Sequence, residues 1–133
     1  SAASDVYKRQ FYYRAKAYTK QKAGKKAMED YRELAKDTRN PYGAEAKYQV
    51  AQSLYDAKEY AAAEKELLNY IEQSTPHAYW LARSFVLLSD VYHATGKDLD
   101  ARQYLLSLQQ NYQGNDDIES MIESRLSKLK VEN

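Results

Sequence analysis

Few side chains in this sequence could carry chemistry, and they are poorly placed for it. His77 and His93 are the only histidines. Neither stands in a His-Glu-x-x-His arrangement, which would put two imidazoles on one helix face for zinc. Asp98 and Asp100 flank Leu99 beside a turn, but a calcium loop needs more oxygen ligands and a suitably placed glycine. Ser84, Ser89 and His93 share one predicted helix, with no acid–base partner spaced to make either serine a nucleophile. The four glycines are isolated, so no loop cradles a phosphate. Cysteine is absent, which excludes disulfides and thiolate metal sites. The expectation is a protein that is not an enzyme and holds no cofactor or metal.

Binding is the remaining chemistry, and tyrosine is its vehicle. The chain has 14 Tyr against 2 Phe, and Tyr offers rigid apolar area with a polar tip. Twenty Lys and Arg against 19 Asp and Glu give a net charge of +1. That balance argues against nucleic acid as a partner and against a polybasic membrane anchor. The apolar run around Val86-Leu87-Leu88 is far too short for direct membrane insertion. At 44% hydrophobic and 29% charged residues the chain is too apolar for disorder.

The elements that must position these residues read as helix throughout. Apolar residues recur at three and four, and Ala, Leu, Lys, Glu, Gln and Arg dominate. Breaks fall at Lys22-Ala23-Gly24, Asn40-Pro41-Tyr42-Gly43, Ser74-Thr75-Pro76, Thr95-Gly96-Lys97 and Gln113-Gly114-Asn115. A further break is needed near Ala57-Lys58, because a helix from Ala44 to Gln73 would be very long. Seven helices are predicted, over 11–22, 25–38, 42–56, 60–73, 77–94, 98–112 and 116–130. Short connections make consecutive helices antiparallel neighbours. Asp116 and Asp117 suit the start of the last helix, by capping and by the macrodipole.

The helices repeat. Ala15, Tyr18, Ala27 and Tyr31 have the spacing small, large, small, large. Ala51, Leu54, Ala63 and Leu67 have it again, and so do Ser89, Tyr92, Ala101 and Leu105. A small residue at a crossing lets two helix backbones approach, and the large ones fill the grooves beside it. Each hairpin leaves an apolar face that a neighbour must cover.

This spacing resembles the tetratricopeptide repeat. The resemblance covers about residue 8 to 115, in repeats of about 8–41, 44–77 and 82–115, with a closing helix at 116–130. Pro41 and Pro76 fall near the ends of the first two repeats, as in the family. The departures are periods longer than the usual ~34 residues and Lys47 at the fourth position of the second repeat, where the family often has Trp. The resemblance implies an all-α fold: a right-handed α-solenoid of three helix hairpins plus a C-terminal capping helix. The longer periods, the many Tyr residues and the stretch from Tyr79 through Tyr112 resemble tetratricopeptide proteins of Gram-negative cell envelopes. Those include outer-membrane-assembly lipoproteins and large periplasmic repeat proteins. A periplasmic or envelope location and a place at the C-terminal part of a longer array are implied.

In that family the first helix of each hairpin lines a concave groove. The carried-over groove positions are Tyr12, Lys16 and Thr19, then Glu45, Tyr48, Gln52 and Tyr55, then Arg83, Val86, Asp90 and His93. The candidate partner-binding set is Tyr48, Gln52, Tyr55, Arg83, Val86, Asp90 and His93, and its expected partner is a protein or peptide. For Tyr12 and Tyr48, packing between neighbouring first helices is an equal alternative. Tyr18, Tyr31, Tyr70 and Tyr92 are expected in the core. The family's carboxylate clamp needs Lys and Asn where this chain has Tyr12 and Lys16, which disfavours a co-chaperone role. The resemblance therefore implies a non-catalytic scaffold, or alternatively a structural spacer or terminal cap whose binding repeats lie upstream.

Residues 1–10, Ser-Ala-Ala-Ser-Asp-Val-Tyr-Lys-Arg-Gln, resemble an in-frame translation of a transposase sequencing adapter, as in an open reading frame from environmental DNA. On that reading they are non-native, the repeat domain is 11–133, and the native protein extends further upstream. Dropping them leaves 18 basic against 18 acidic residues. An under-packed N-terminal face around Phe11, Tyr12 and Ala15 would then favour self-association.

Overall fold

The computed structural model describes residues 2–129, which form seven α-helices and, among the described residues, no strand. They are α1 (Ala2–Lys20), α2 (Gly24–Leu34), α3 (Pro41–Asp56), α4 (Tyr60–Glu72), α5 (Ala78–Ala94), α6 (Asp98–Asn111) and α7 (Ile118–Leu126). Each helix packs on the next, and α1–α3, α3–α5 and α5–α7 also touch. Among the described residues no helix touches one further along the chain than that.

Three of the turns share one hydrogen-bond pattern. Ala23 N–H donates to Tyr18 O, Glu59 N–H to Leu54 O and Lys97 N–H to Tyr92 O, at 2.8, 2.9 and 2.8 Å. Each turn has one residue in the left-handed region, at Lys22, Lys58 and Gly96, with φ of 60, 62 and 78°. Those positions keep the 36- and 38-residue spacing of Ala27, Ala63 and Ala101. A left-handed residue closing a helix frees the chain to reverse and caps the last carbonyls. Gly96 does so without steric cost, whereas Lys22 and Lys58 pay for a Cβ there. The break near Ala57-Lys58 thus needs neither Gly nor Pro.

The repeated quartets form the core. Ala15, Ala51 and Ser89 are 0, 0 and 1% exposed, and Ala27, Ala63 and Ala101 are 3, 0 and 0%. Tyr31, Leu67 and Leu105 are buried beside them, as are Tyr70 and Tyr92. Tyr18 is only half-buried, with Arg14 and Lys26 over its ring.

Several helix ends differ from expectation. The first helix continues back to Ala2, through the adapter-like segment, and Lys8 Nζ reaches Asp37 Oδ2 at 2.7 Å. The second stops at Leu34 rather than 38, because α3 starts hard against it. Pro41 takes the first helical position, and Asn40 Oδ1 accepts from Tyr42 N–H at 2.9 Å. A Cβ on Gly43 would meet the Asp37 carbonyl oxygen at 1.8 Å, so only glycine lets these backbones close. The last helix runs only from Ile118 to Leu126, and residue 130 of the expected range lies outside the described residues. Asp117 does not cap it through its side chain. Asp116 accepts from Ile118 N–H instead, and Asp117 accepts from Tyr79.

Candidate functional site

The odd-numbered helices α1, α3, α5 and α7 meet side by side, and polar side chains tie each to the next. Between α1 and α3, Tyr12 Oη donates to Glu45 Oε1 at 2.8 Å and Lys16 Nζ lies 2.7 Å from Oε2. Both oxygens of a carboxylate 7% exposed are thereby used, which offsets the cost of burying its charge. For Lys16, burial works against the charged form, but the bonds to Glu45 and Tyr12 outweigh it and hold the ammonium above its ordinary range. Burial and the Glu45 bond push the Tyr12 phenol up.

Between α3 and α5 the arrangement is aromatic. Arg83 Nη2 donates to Tyr48 Oη at 3.0 Å and Nη1 to Tyr79 Oη at 2.9 Å. The guanidinium carbon sits 4.7 Å from the Tyr48 ring centre and 5.8 Å from those of Tyr79 and Trp80. Tyr48 and Trp80 pack at 5.5 Å. The chain of bonds runs on in both directions. Tyr48 donates to Gln52 and Gln52 to Asp56, while Tyr79 donates to Asp117 at the start of α7. Between α5 and α7, Arg125 Nε and Nη2 face the two Asp90 oxygens at 3.2 and 3.4 Å.

The fold brings Tyr48, Gln52 and Arg83 into one hydrogen-bonded set. Tyr55 lies against Tyr60, at 5.5 Å between ring centres. Burial and then the charge of Asp90 push its phenol up, while Arg125 pulls it down. Two residues of the set stand apart. Val86 is 3% exposed and packs with Ala82, Leu105, Ile118 and Ile122, beneath the surface rather than on it. His93 is exposed and faces Asp98 across the α5–α6 turn, Nδ1 to Oδ1 at 2.9 Å. Tyr48 is itself 6% exposed, so it meets its neighbours more than solvent. Packing between first helices, the alternative weighed for Tyr12 and Tyr48, is where both rings stand.

Tyr79, Trp80 and Arg125 were missed as members of this face. Arg125 follows Asp90 by 35 residues and Arg83 follows Tyr48 by the same number. An offset close to the repeat length was the available signal, and it reads as polar pairs across neighbouring repeats. Among the described residues, no three His, Asp or Glu side chains are grouped to hold a metal. A cleft of about 260 Å³ borders Gln52, between Thr19, Tyr31, Gln49 and Asp56. A larger cleft, about 540 Å³, lies elsewhere, between Tyr112 at the end of α6 and Ile122 of α7. No family model matches this chain, and no curated protein matches it.

Proposed function

We propose that the chain is a right-handed tetratricopeptide-like solenoid, three hairpins and a closing helix, and that it works as a non-catalytic scaffold. Its concave face, made by α1, α3, α5 and α7, binds a segment of another protein. The observation that supports this most is the contact pattern. Helices touch only their first and second neighbours along the chain, so no other described helix covers that face. With Tyr48 and Val86 buried, the surface for a partner narrows to Gln52, Tyr55, Arg83, Asp90 and His93. That is an aromatic anchor among amide, cationic and anionic groups, a mix suited to an extended or helical peptide.

The cell envelope of a Gram-negative organism is the setting we favour, on the family resemblance. No described helix is long and apolar enough to cross a membrane, which fits that setting without requiring it. The face around Phe11, Tyr12 and Ala15 is packed rather than open, since Ala15 is 0% exposed and the two rings lie against the same cluster of α2 and α3 side chains. Self-association through the N-terminal helix, where Tyr13 is exposed, is a second mode of contact we propose, and mass against concentration tests it.

One observation favours the spacer reading. The polar groups of this face are spent on one another, from Tyr12–Glu45 to Asp90–Arg125, as in a stiff structural array. Crosslinking from envelope extract, with wild type against a Tyr55→Ala/His93→Ala double variant, separates the two. Loss of a specific partner at unchanged melting temperature supports the scaffold. Equal capture supports the spacer.

A further inference from the structure

Most cations that meet this face or its edges have a carboxylate. Lys16 has Glu45, Lys47 has Glu66, and Arg125 has Asp90. Arg83 does not. Among the described residues its guanidinium bonds only to two phenol hydroxyls and lies over three aromatic rings. The nearest acid in that network, Asp117, is reached only through the Tyr79 hydroxyl.

Aromatic faces and neutral hydroxyls orient a guanidinium without cancelling its charge. A guanidinium has five N–H donors, and Arg83 spends two. Among the described residues, no buried side-chain nitrogen or oxygen lacks a partner. The Nε–H, which has none among the described residues, therefore meets solvent. The result is a cation fixed in direction, partly desolvated and unneutralised, with donors free to take a planar anion. Such preorganisation lowers the cost of binding, because the side chain is already ordered.

We propose that Arg83, held by Tyr48 and Tyr79, is the anchor for a carboxylate of the bound segment, so that the partner presents an acidic group to the α3–α5 joint. This rests on the scaffold reading and gives it a substrate class. The carboxylate belongs either to an Asp or Glu side chain or to a chain end, and the same fork receives both.

The test uses the whole chain and four small probes, the last of them inorganic phosphate, followed by NMR of the arginine Nε–H signals. The Arg83 signal is identified by its absence in Arg83→Lys. Acetyl-glutamate N-methylamide supplies a side-chain carboxylate, acetyl-alanine a chain-end carboxylate, and acetyl-glutamine N-methylamide neither. The Arg83 Nε–H should shift saturably with at least one of the first two and not with the third. The preferred source is the one that binds tighter. Arg83→Lys keeps the charge but loses the planar fork, and should bind the same probe weaker by on the order of tenfold, followed in both proteins through the indole N–H of Trp80 beside the site. A response to inorganic phosphate exceeding both carboxylates would overturn the carboxylate assignment. No saturable shift with either carboxylate, or an equal one with the glutamine probe, would overturn the site. That failure is distinct from failure of the scaffold, because partner capture sensitive to Tyr55→Ala/His93→Ala but equal in Arg83→Gln would leave the scaffold standing without this anchor.

Discussion

The joint between α1 and α3 and the joint between α3 and α5 each tie one odd-numbered helix to the next, yet they are built from different chemistry. At the first, Lys16 and Tyr12 converge on the buried carboxylate of Glu45, and the cation is neutralised inside the protein. At the second, Arg83 is clasped by the rings and hydroxyls of Tyr48 and Tyr79, with Trp80 beside them, and keeps its charge. The first joint is saturated with ion pairing, and nothing is left for a ligand. The second derives its rigidity from aromatic packing and leaves a directed cation behind. The difference shows that contacts between these helices can be held by charge or by ring stacking, and that here only the latter leaves electrostatics to spare.

Truncating the second joint should have the largest effect. Tyr48→Ala removes a buried ring from Trp80 and Arg83, and the expected loss is roughly 3–5 kcal/mol by analogy with aromatic truncations in cores. Urea denaturation measures it, and a loss below that of any Glu45 variant would reverse our ranking of the joints. At the first joint, Glu45→Gln keeps the shape but removes the charge that Lys16 and Tyr12 share. It should cost about 1–3 kcal/mol, the range for a buried polar group deprived of its partner. High salt should narrow the gap to wild type only slightly, because a buried pair is weakly screened.

Alkali sharpens the comparison next. Tyr12 at the first joint and Tyr79 at the second both titrate above the ordinary phenol value of 10.0, as do Tyr31, Tyr55, Tyr70 and Tyr92, chiefly through burial. Tyr112, by burial and its bond to Asp116, is pushed up to about 12. A raised folded-state value means that this stability is complete below pH 10.0 and is lost as pH rises through the folded values. Melting temperature should therefore fall above that pH, in step with phenolate absorbance. A flat profile there would remove desolvated tyrosine as a source of stability.

The smallest effect is expected at the N-terminal edge. The Lys8 ammonium beside Asp37 holds its carboxyl below its ordinary value of 3.8. A lowered value gives stability that is present above 3.8 and lost as pH falls through the folded value. Both groups are partly exposed, at 27 and 43%, so Lys8→Ala should cost no more than roughly 0.2–1 kcal/mol. Deleting residues 1–10 should do little more than that variant. A much larger loss would make the segment part of the fold rather than an appendage.

Secondary structure was largely legible in the sequence. Periodicity of three and four, with breaks at Gly24, Pro41, Pro76, Gly96 and Gly114 and a sixth near Lys58, predicts seven helices, and seven are described. The break at Lys58 was legible only as a length argument, since a lysine in the left-handed region carries no compositional mark. The small residues at the crossings were legible because sterics leave little choice where two backbones approach. Ala27, Ala63 and Ala101 are all buried. The early end of α2 was not, because it depends on Gly43 of the next helix meeting the Asp37 carbonyl.

The polar face was read least well, and for one reason. Helical spacing tells which side of a helix a residue occupies, so Tyr48, Gln52, Arg83 and Asp90 could be assigned to one side. It does not tell what stands opposite. Whether Asp90 would meet solvent or Arg125, and whether Val86 would face a groove or the packing of α5 on α6 and α7, depended on how far each helix slid against its second neighbour along the chain. That offset is set by how whole helices pack on one another. The sequence alone determined the helices, their crossing residues and their repeat. Only the tertiary structure decided which charges cancel and that Arg83 is left to face solvent uncancelled, because Coulomb energy depends on distances between side chains some 35 residues apart, which local pattern does not encode.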